Sequence, residues 1–143
     1  MQDYAIAPPV APLRIRLAAM VYELLLVVAV VFVASFIFIP LVGDTQVAWR
    51  KFVFQAYLAG VLFAYFSAFW LRSGQTLAMK TWRIRLVDLD GKLIHLKQAG
   101  LRFVLAFLGL GLFGISIVWA LFDHDRQFLH DRLAGTRLIR VTQ

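Results

Sequence analysis

The sequence predicts a mainly α-helical membrane protein: three membrane-embedded helical segments, the third either spanning or re-entrant, and a small cytoplasmic β-hairpin. Three observations predict it. Hydrophobic residues make up 62% of the 143 residues, against roughly 45–50% in a soluble domain. They are gathered into three blocks, residues 17–39, 52–71 and 101–122, and blocks of that length are the compositional sign of a membrane chain. Between the second and third blocks, over 72–100, the sequence turns polar and basic and its periodicity drops to two. The whole chain, 1–143, reads as one domain.

The elements follow in order. Residues 1–12 carry Pro8, Pro9 and Pro12 and read as an extended tail, because proline lacks an N–H and restricts the residue before it. Block 17–39 covers about 34 Å as a helix, enough for a hydrocarbon core of about 30 Å. Pro40 is expected to end it. A cleaved signal peptide would have an apolar region of about 7–15 residues, and Glu23 inside this block argues further against one. Block 52–71 is aromatic, with Tyr65 and Trp70 near one end, as in an interfacial belt. In the loop that follows, Trp82, Ile84 and Leu86 alternate with Arg83, Arg85 and Val87, the pattern of a half-buried strand. Asp90-Gly91 is a hairpin turn signal, with Leu93, Ile94 and Leu96 as the expected return strand.

Block 101–122 contains Gly109, Gly111 and Gly114. Two arrangements compete here. If it spans, Lys and Arg outside the blocks divide eight against six across the membrane; if it dips in and returns, they divide twelve against two, a much stronger positive-inside bias. The dipping arrangement uses the glycines as its bend and lets residues 137–141 pair with the strand region after Trp82; the spanning arrangement fits the block's 22 residues to one helix and uses the glycines for close helix packing. Both arrangements place the N-terminus in the cytoplasm. Beyond the block, in the C-terminal region 123–143, Phe128, Leu129 and Leu133 lie along one face of a short interfacial helix. Gly135 ends that helix, and residues 136–142 form another strand.

The formal charge is +7. In a soluble chain this points to nucleic acid, but here the basic residues flank apolar blocks, which fits attraction to anionic lipid headgroups. No nucleic-acid motif is present. With no cysteine, disulfides, thiolate metal sites and cysteine nucleophiles are excluded. The glycines at 109, 111 and 114 have the spacing of a dinucleotide fingerprint without the strand–turn–helix context it needs. No nucleophile and base converge in the sequence, so no enzyme and no cofactor are expected.

Glu23 is the only acid inside an apolar block. It lies about 9 Å past the start of its block, a costly position that marks it as a candidate proton or monovalent-cation site. The bland alternative is a hydrogen bond to a neighbouring helix. Arg16 stands two turns earlier on nearly the same face, about 10 Å away along the helix. His130 and Asp131 are adjacent in the C-terminal polar stretch. His95 and His124 have no second ligand at helical spacing, so no metal site is expected.

Jointly these features resemble the RDD family of small bacterial membrane proteins. The pieces that carry the resemblance are Arg16 at the entrance of the first helix, Glu23 in the position of the family's intramembrane Asp, the run Ser73-Gly74-Gln75-Thr76-Leu77-Ala78-Met79-Lys80, the strand and turn from Trp82 to Asp90-Gly91, and His130-Asp131-Arg132-Leu133-Ala134-Gly135-Thr136. Two departures stand out: Glu23 extends the family's carboxylate by one methylene, and Ala78 replaces a usual glycine, which puts any φ > 0 role there in doubt. The resemblance implies an inner-membrane protein with a polar triad of Arg16, Glu23 and Asp131, with His130, Gln75 and Thr76 in support. It implies transport, including cation/proton exchange, more weakly. Three apolar segments give too little wall for a sealed pathway, so transport requires a homo-oligomer. A non-transporting scaffold or accessory subunit is the alternative.

Overall fold

The computed structural model describes residues 9–44, 46–111, 114–123 and 126–141, with the side chains of Leu110 and Ser116 left aside. The expectations for residues 1–8, His124 and Thr142 lie outside the described residues. Among the described residues six helices and two strands run α1 (Leu13–Val42), α2 (Ala48–Arg72), α3 (Leu77–Thr81), β1 (Ile84–Asp88), α4 (Leu96–Gly111), α5 (Ile115–Phe122), α6 (Leu129–Ala134) and β2 (Thr136–Arg140).

Two of these helices, α1 and α2, are long and apolar enough to cross a membrane. They are membrane-spanning and pack antiparallel: Tyr57 donates to the Ala34 carbonyl at 3.3 Å, and Phe38 meets the Phe54 and Tyr57 rings at 5.1 and 5.0 Å. Pro40 does not end α1 as expected; it lies inside it. Two residues from the terminus, the missing N–H removes one bond from a final turn whose last carbonyls have no intrahelical partner. The stop comes at Gly43, at φ +86°, whose N–H reaches the Ile39 carbonyl at 2.9 Å.

The third block divides into α4 and α5. Sixteen and eight residues cover about 24 and 12 Å, and neither matches a span. Gly114 precedes α5 at φ +71°, a backbone conformation glycine adopts without steric cost. After α5 the chain returns: α6 packs on both α4 and α5, and β2 pairs antiparallel with β1 from Ile84↔Arg140 to Asp88↔Thr136. Both ends of the stretch from α4 to α6 therefore lie at the same end of the α1–α2 pair.

That pairing corrects the expected β-hairpin. The turn after β1 forms, with Asp88 Oδ1 accepting the N–H groups of Asp90 and Lys92 at 2.9 and 2.8 Å. Leu93, Ile94 and Leu96 do not return as a strand. Ile94 is buried in the core, His95 N–H donates to Gln98 Oε1 at 3.0 Å ahead of α4, and Leu96 begins that helix. The partner strand comes from residues 136–140 instead. The tail joins too: Ala11 N–H donates to the Leu138 carbonyl at 2.7 Å, and Val10 forms a bridge with Ile139.

The core gathers at this end. Ala11 and Ala19 from the start of the chain, Trp70 from α2, Met79 from α3, Ile84 and Leu86 from β1, Ile94 and Ala99 around the start of α4, and Leu138 from β2 form one cluster. We call this end the head. The outer parts of α1 and α2 lie beyond it and carry exposed apolar side chains such as Leu25, Phe32 and Phe36.

Candidate functional site

Two polar clusters occupy the head. The first is built around Glu23 on α1. The Tyr65 hydroxyl on α2 donates to Glu23 Oε1 at 3.2 Å, and the Thr76 hydroxyl donates to Oε2. Thr76 is fully buried and also caps α3, accepting from Met79 N–H at 3.3 Å, the usual way a threonine satisfies a helix's first donors. The turn that aims Thr76 at α1 depends on Gly74. Its φ is +68°, its carbonyl accepts from Leu86 N–H at 2.7 Å, and a Cβ there would fall 2.5 Å from the Leu86 carbonyl oxygen. Gln75 then ties the turn to β1, donating from Nε2 to the Ile84 carbonyl at 2.8 Å.

Ala78, where the resemblance leads one to expect glycine, lies in α3 at 0% exposure and is not among the residues with positive φ. The close approach and left-handed backbone belong to Gly74, so the alanine is accommodated. Glu23 is also placed differently from the sequence estimate. It bonds to Thr76, beyond the end of α2 at Arg72, and α1 packs on α3. Residues 24–42 continue beyond it without a charged side chain and cover about 28 Å, close to a hydrocarbon core. Glu23 therefore sits at the mouth of the spanning segment.

The second cluster joins α1, α4 and α6. Asp131 is 1% exposed and forms an ion pair with Arg102 Nη1, and that same nitrogen donates to Thr136 Oγ1 at 3.3 Å. The Arg102 guanidinium lies over the Trp70 ring, 5.1 Å from its centroid. Arg16 is also buried; its Nη2 donates to the Arg126 carbonyl and its guanidinium lies 5.0 Å from the Phe128 centroid. Phe128 stacks on His130 at 5.4 Å, and His130 Nε2 is 3.8 Å from Asp131 Oδ1. Burial, followed by the charges of Arg102 and Arg16, holds His130 well below the ordinary histidine range, so it is neutral at pH 7. At the edge, Arg132 reaches both Asp123 oxygens at 2.8 and 2.9 Å.

The expected triad is thus distributed over two clusters. Glu23 is held by Thr76 and Tyr65, Asp131 by Arg102, and Arg16 by the Arg126 carbonyl and Phe128. His130 links the neighbourhoods of Arg16 and Asp131, while Gln75 and Thr76 serve the Glu23 turn. Sequence reasoning missed Arg102. The signal was present, since it is the one basic residue inside an apolar block and a cation there needs a partner. Among the described residues no group of three or more histidines and carboxylates is arranged to hold a metal ion.

Compared with known families, residues 10–135 match the RDD family, a stretch that includes the Glu23 cluster and all of the second cluster but Thr136, and runs from the tail bridge to Gly135. The chain belongs to the RDD family. Among curated proteins, this RDD chain is 36% identical over 81 residues to an uncharacterized protein of Rickettsia prowazekii (strain Madrid E), covering 56% of the present chain and 44% of that one. It therefore matches less than half the length of that relative. No solved structure matches.

Proposed function

We propose that this RDD protein is a non-enzymatic transport module of the bacterial inner membrane in which Glu23 exchanges a proton or a monovalent cation, with the head in the cytoplasm. One observation carries the reading. Glu23 stands at the mouth of a spanning helix with two hydroxyls for partners and no ion-pair partner among the described residues. A carboxylate near a low-dielectric region is costly without a compensating positive charge. Carboxylate and hydroxyl oxygens form a ligand set suited to a hard cation, and protonation removes the charge directly. The head-inside orientation rests on the twelve-against-two division of basic residues. Two spans with largely exposed apolar faces leave the walls of a pathway to further copies of the chain.

The test is pH-dependent cation flux in proteoliposomes. Wild-type protein is expected to carry flux and Glu23→Gln to lose it while remaining folded; equal flux in the two eliminates Glu23 as the exchanging group. A scaffold or accessory role is the second reading, favoured by the buried Arg102–Asp131 pair, which ties α4 to α6 with no exchangeable partner in view. It expects no flux from the wild type, and a drop in folded yield when Glu23 is replaced.

A further inference from the structure

A cavity of about 600 Å³ opens beside the start of α1, and its polar wall is entirely basic among the described residues: Arg14, Arg16 and Arg126 line it together with Val10, Pro12 and Leu13. Three features there favour an anion. Arg16 is 2% exposed, and its Nε and Nη1 have no hydrogen-bond acceptor. The thirty-residue helix α1 begins with neither a side-chain cap nor an acid in its first turn, so the positive end of its dipole is uncompensated. Arg14 and Arg126 are both exposed at the rim, and Arg126 is held at φ +50° with its carbonyl turned to Arg16. Asp123 is an acid whose charge reaches Arg16, and both of its oxygens are already engaged by Arg132.

We infer that this cavity binds a phosphate-bearing anion through Arg14 and Arg126 at the rim, with Arg16 supplying charge from the wall. Guanidinium groups match the oxygens of a phosphate and bind them by charge-assisted hydrogen bonds. The mixed basic and apolar lining suits a lipid source as well as a soluble one. Arg16 lies seven residues before Glu23, about 10 Å outside the hydrocarbon edge and thus at headgroup level, while Val10 and Leu13 offer apolar wall to a glycerol backbone. The inference is independent of any exchange at Glu23.

The full chain, purified in an uncharged detergent, would be titrated with dihexanoylphosphatidylglycerol, glycerol 3-phosphate and inorganic phosphate, and one-to-one complexes counted by native mass spectrometry. Saturable binding of at least one probe is expected, weakened about tenfold by Arg14→Ala or Arg126→Ala, as the loss of one charge-assisted contact implies. Arg50→Ala, at the opposite end of the helices, should leave it unchanged. Binding of the lipid alone identifies a headgroup as the source, and binding of either soluble phosphate without the lipid identifies a free one; both uphold the site. Absence of binding by all three probes overturns it, as does equal weakening in Arg50→Ala or none in the rim variants. Arg14→Gln keeps the comparison available if an alanine variant loses its fold. Failure here would leave flux through Glu23 untouched.

Discussion

The outer halves of α1 and α2 are apolar almost throughout, whereas the head mixes apolar residues with charged and polar ones, and the two are held together differently. At the outer end, Phe36 and Leu41 are 73% and 80% exposed, and the contacts between the two helices come down to a few rings and the Tyr57 hydrogen bond. At the head, Arg16, Arg102, His130, Asp131, Thr76 and Thr136 are all buried. Hydrophobicity and fold specification are separated along this chain. The outer halves match a lipid solvent and need little more than length and apolar surface. The head must satisfy polar groups out of contact with water, which few arrangements can do.

The largest effect should come from breaking the buried ion pair. Asp131→Ala leaves Arg102 charged beneath Trp70 with only Thr136 as partner, and removing one member of such a pair costs about 3–5 kcal/mol. Loss of most folded, monodisperse protein in detergent is expected, and a wild-type melting curve would show that the pair is not holding the head. Gly74→Ala comes next. The left-handed conformation costs an alanine about 1–2 kcal/mol, and the contact with the Leu86 carbonyl adds to it, so a lower thermal midpoint with unchanged helix content is expected. If the midpoint holds, the turn relaxes without harm.

A smaller effect concerns pH. His130 is held below its ordinary value of 6.5, so the folded protein binds fewer protons at this site than the unfolded chain. The stability linked to it is complete above about pH 6.5 and falls as the pH drops below that value toward the folded one. Thermal melts from pH 7.5 to 5 should show an acid-side decline that is reduced in His130→Gln, and an identical decline would place the proton elsewhere. The smallest effect belongs to the outer end: Phe36→Ala should change stability by less than about 0.5 kcal/mol, as exposed positions commonly do. A shift as large as that of Gly74→Ala would mean that this face is covered by another protein surface.

The same division governs what the sequence made legible. Both spanning helices could be read from block length alone, because matching a bilayer is a local property of a segment. Gly135 was also legible as a helix end, since left-handed backbone favours glycine wherever it falls, while a break near Gly114 was one of two arrangements the sequence left open. The partner of β1 was harder. Asp90-Gly91 signalled a local turn correctly, yet the choice between Leu93–Leu96 and residues 136–140 as the paired strand depends on where α4 starts and on the return of α6, both tertiary facts. The charge count did carry that information, because the arrangement in which the third block dips and returns also placed 137–141 beside the strand. Arg102 and the split of the expected triad were not legible, since periodicity says which residues share a helix face but not which helix faces them.

The strand β2 lies between β1 and the segment around Val10, giving Leu138 to Ala11 while Thr136 meets Asp88. This has a consequence for the order of assembly. During synthesis α1 and α2 emerge and can enter the bilayer long before residue 140 exists, but the head cannot close until that residue has left the ribosome. Contacts this distant in sequence form slowly because a long loop must be closed first. In the interval β1 has an open edge and Arg102 has no Asp131. A chain stalled short of residue 131 would therefore be inserted but unlocked, open at its head to whatever recognises unfinished membrane proteins.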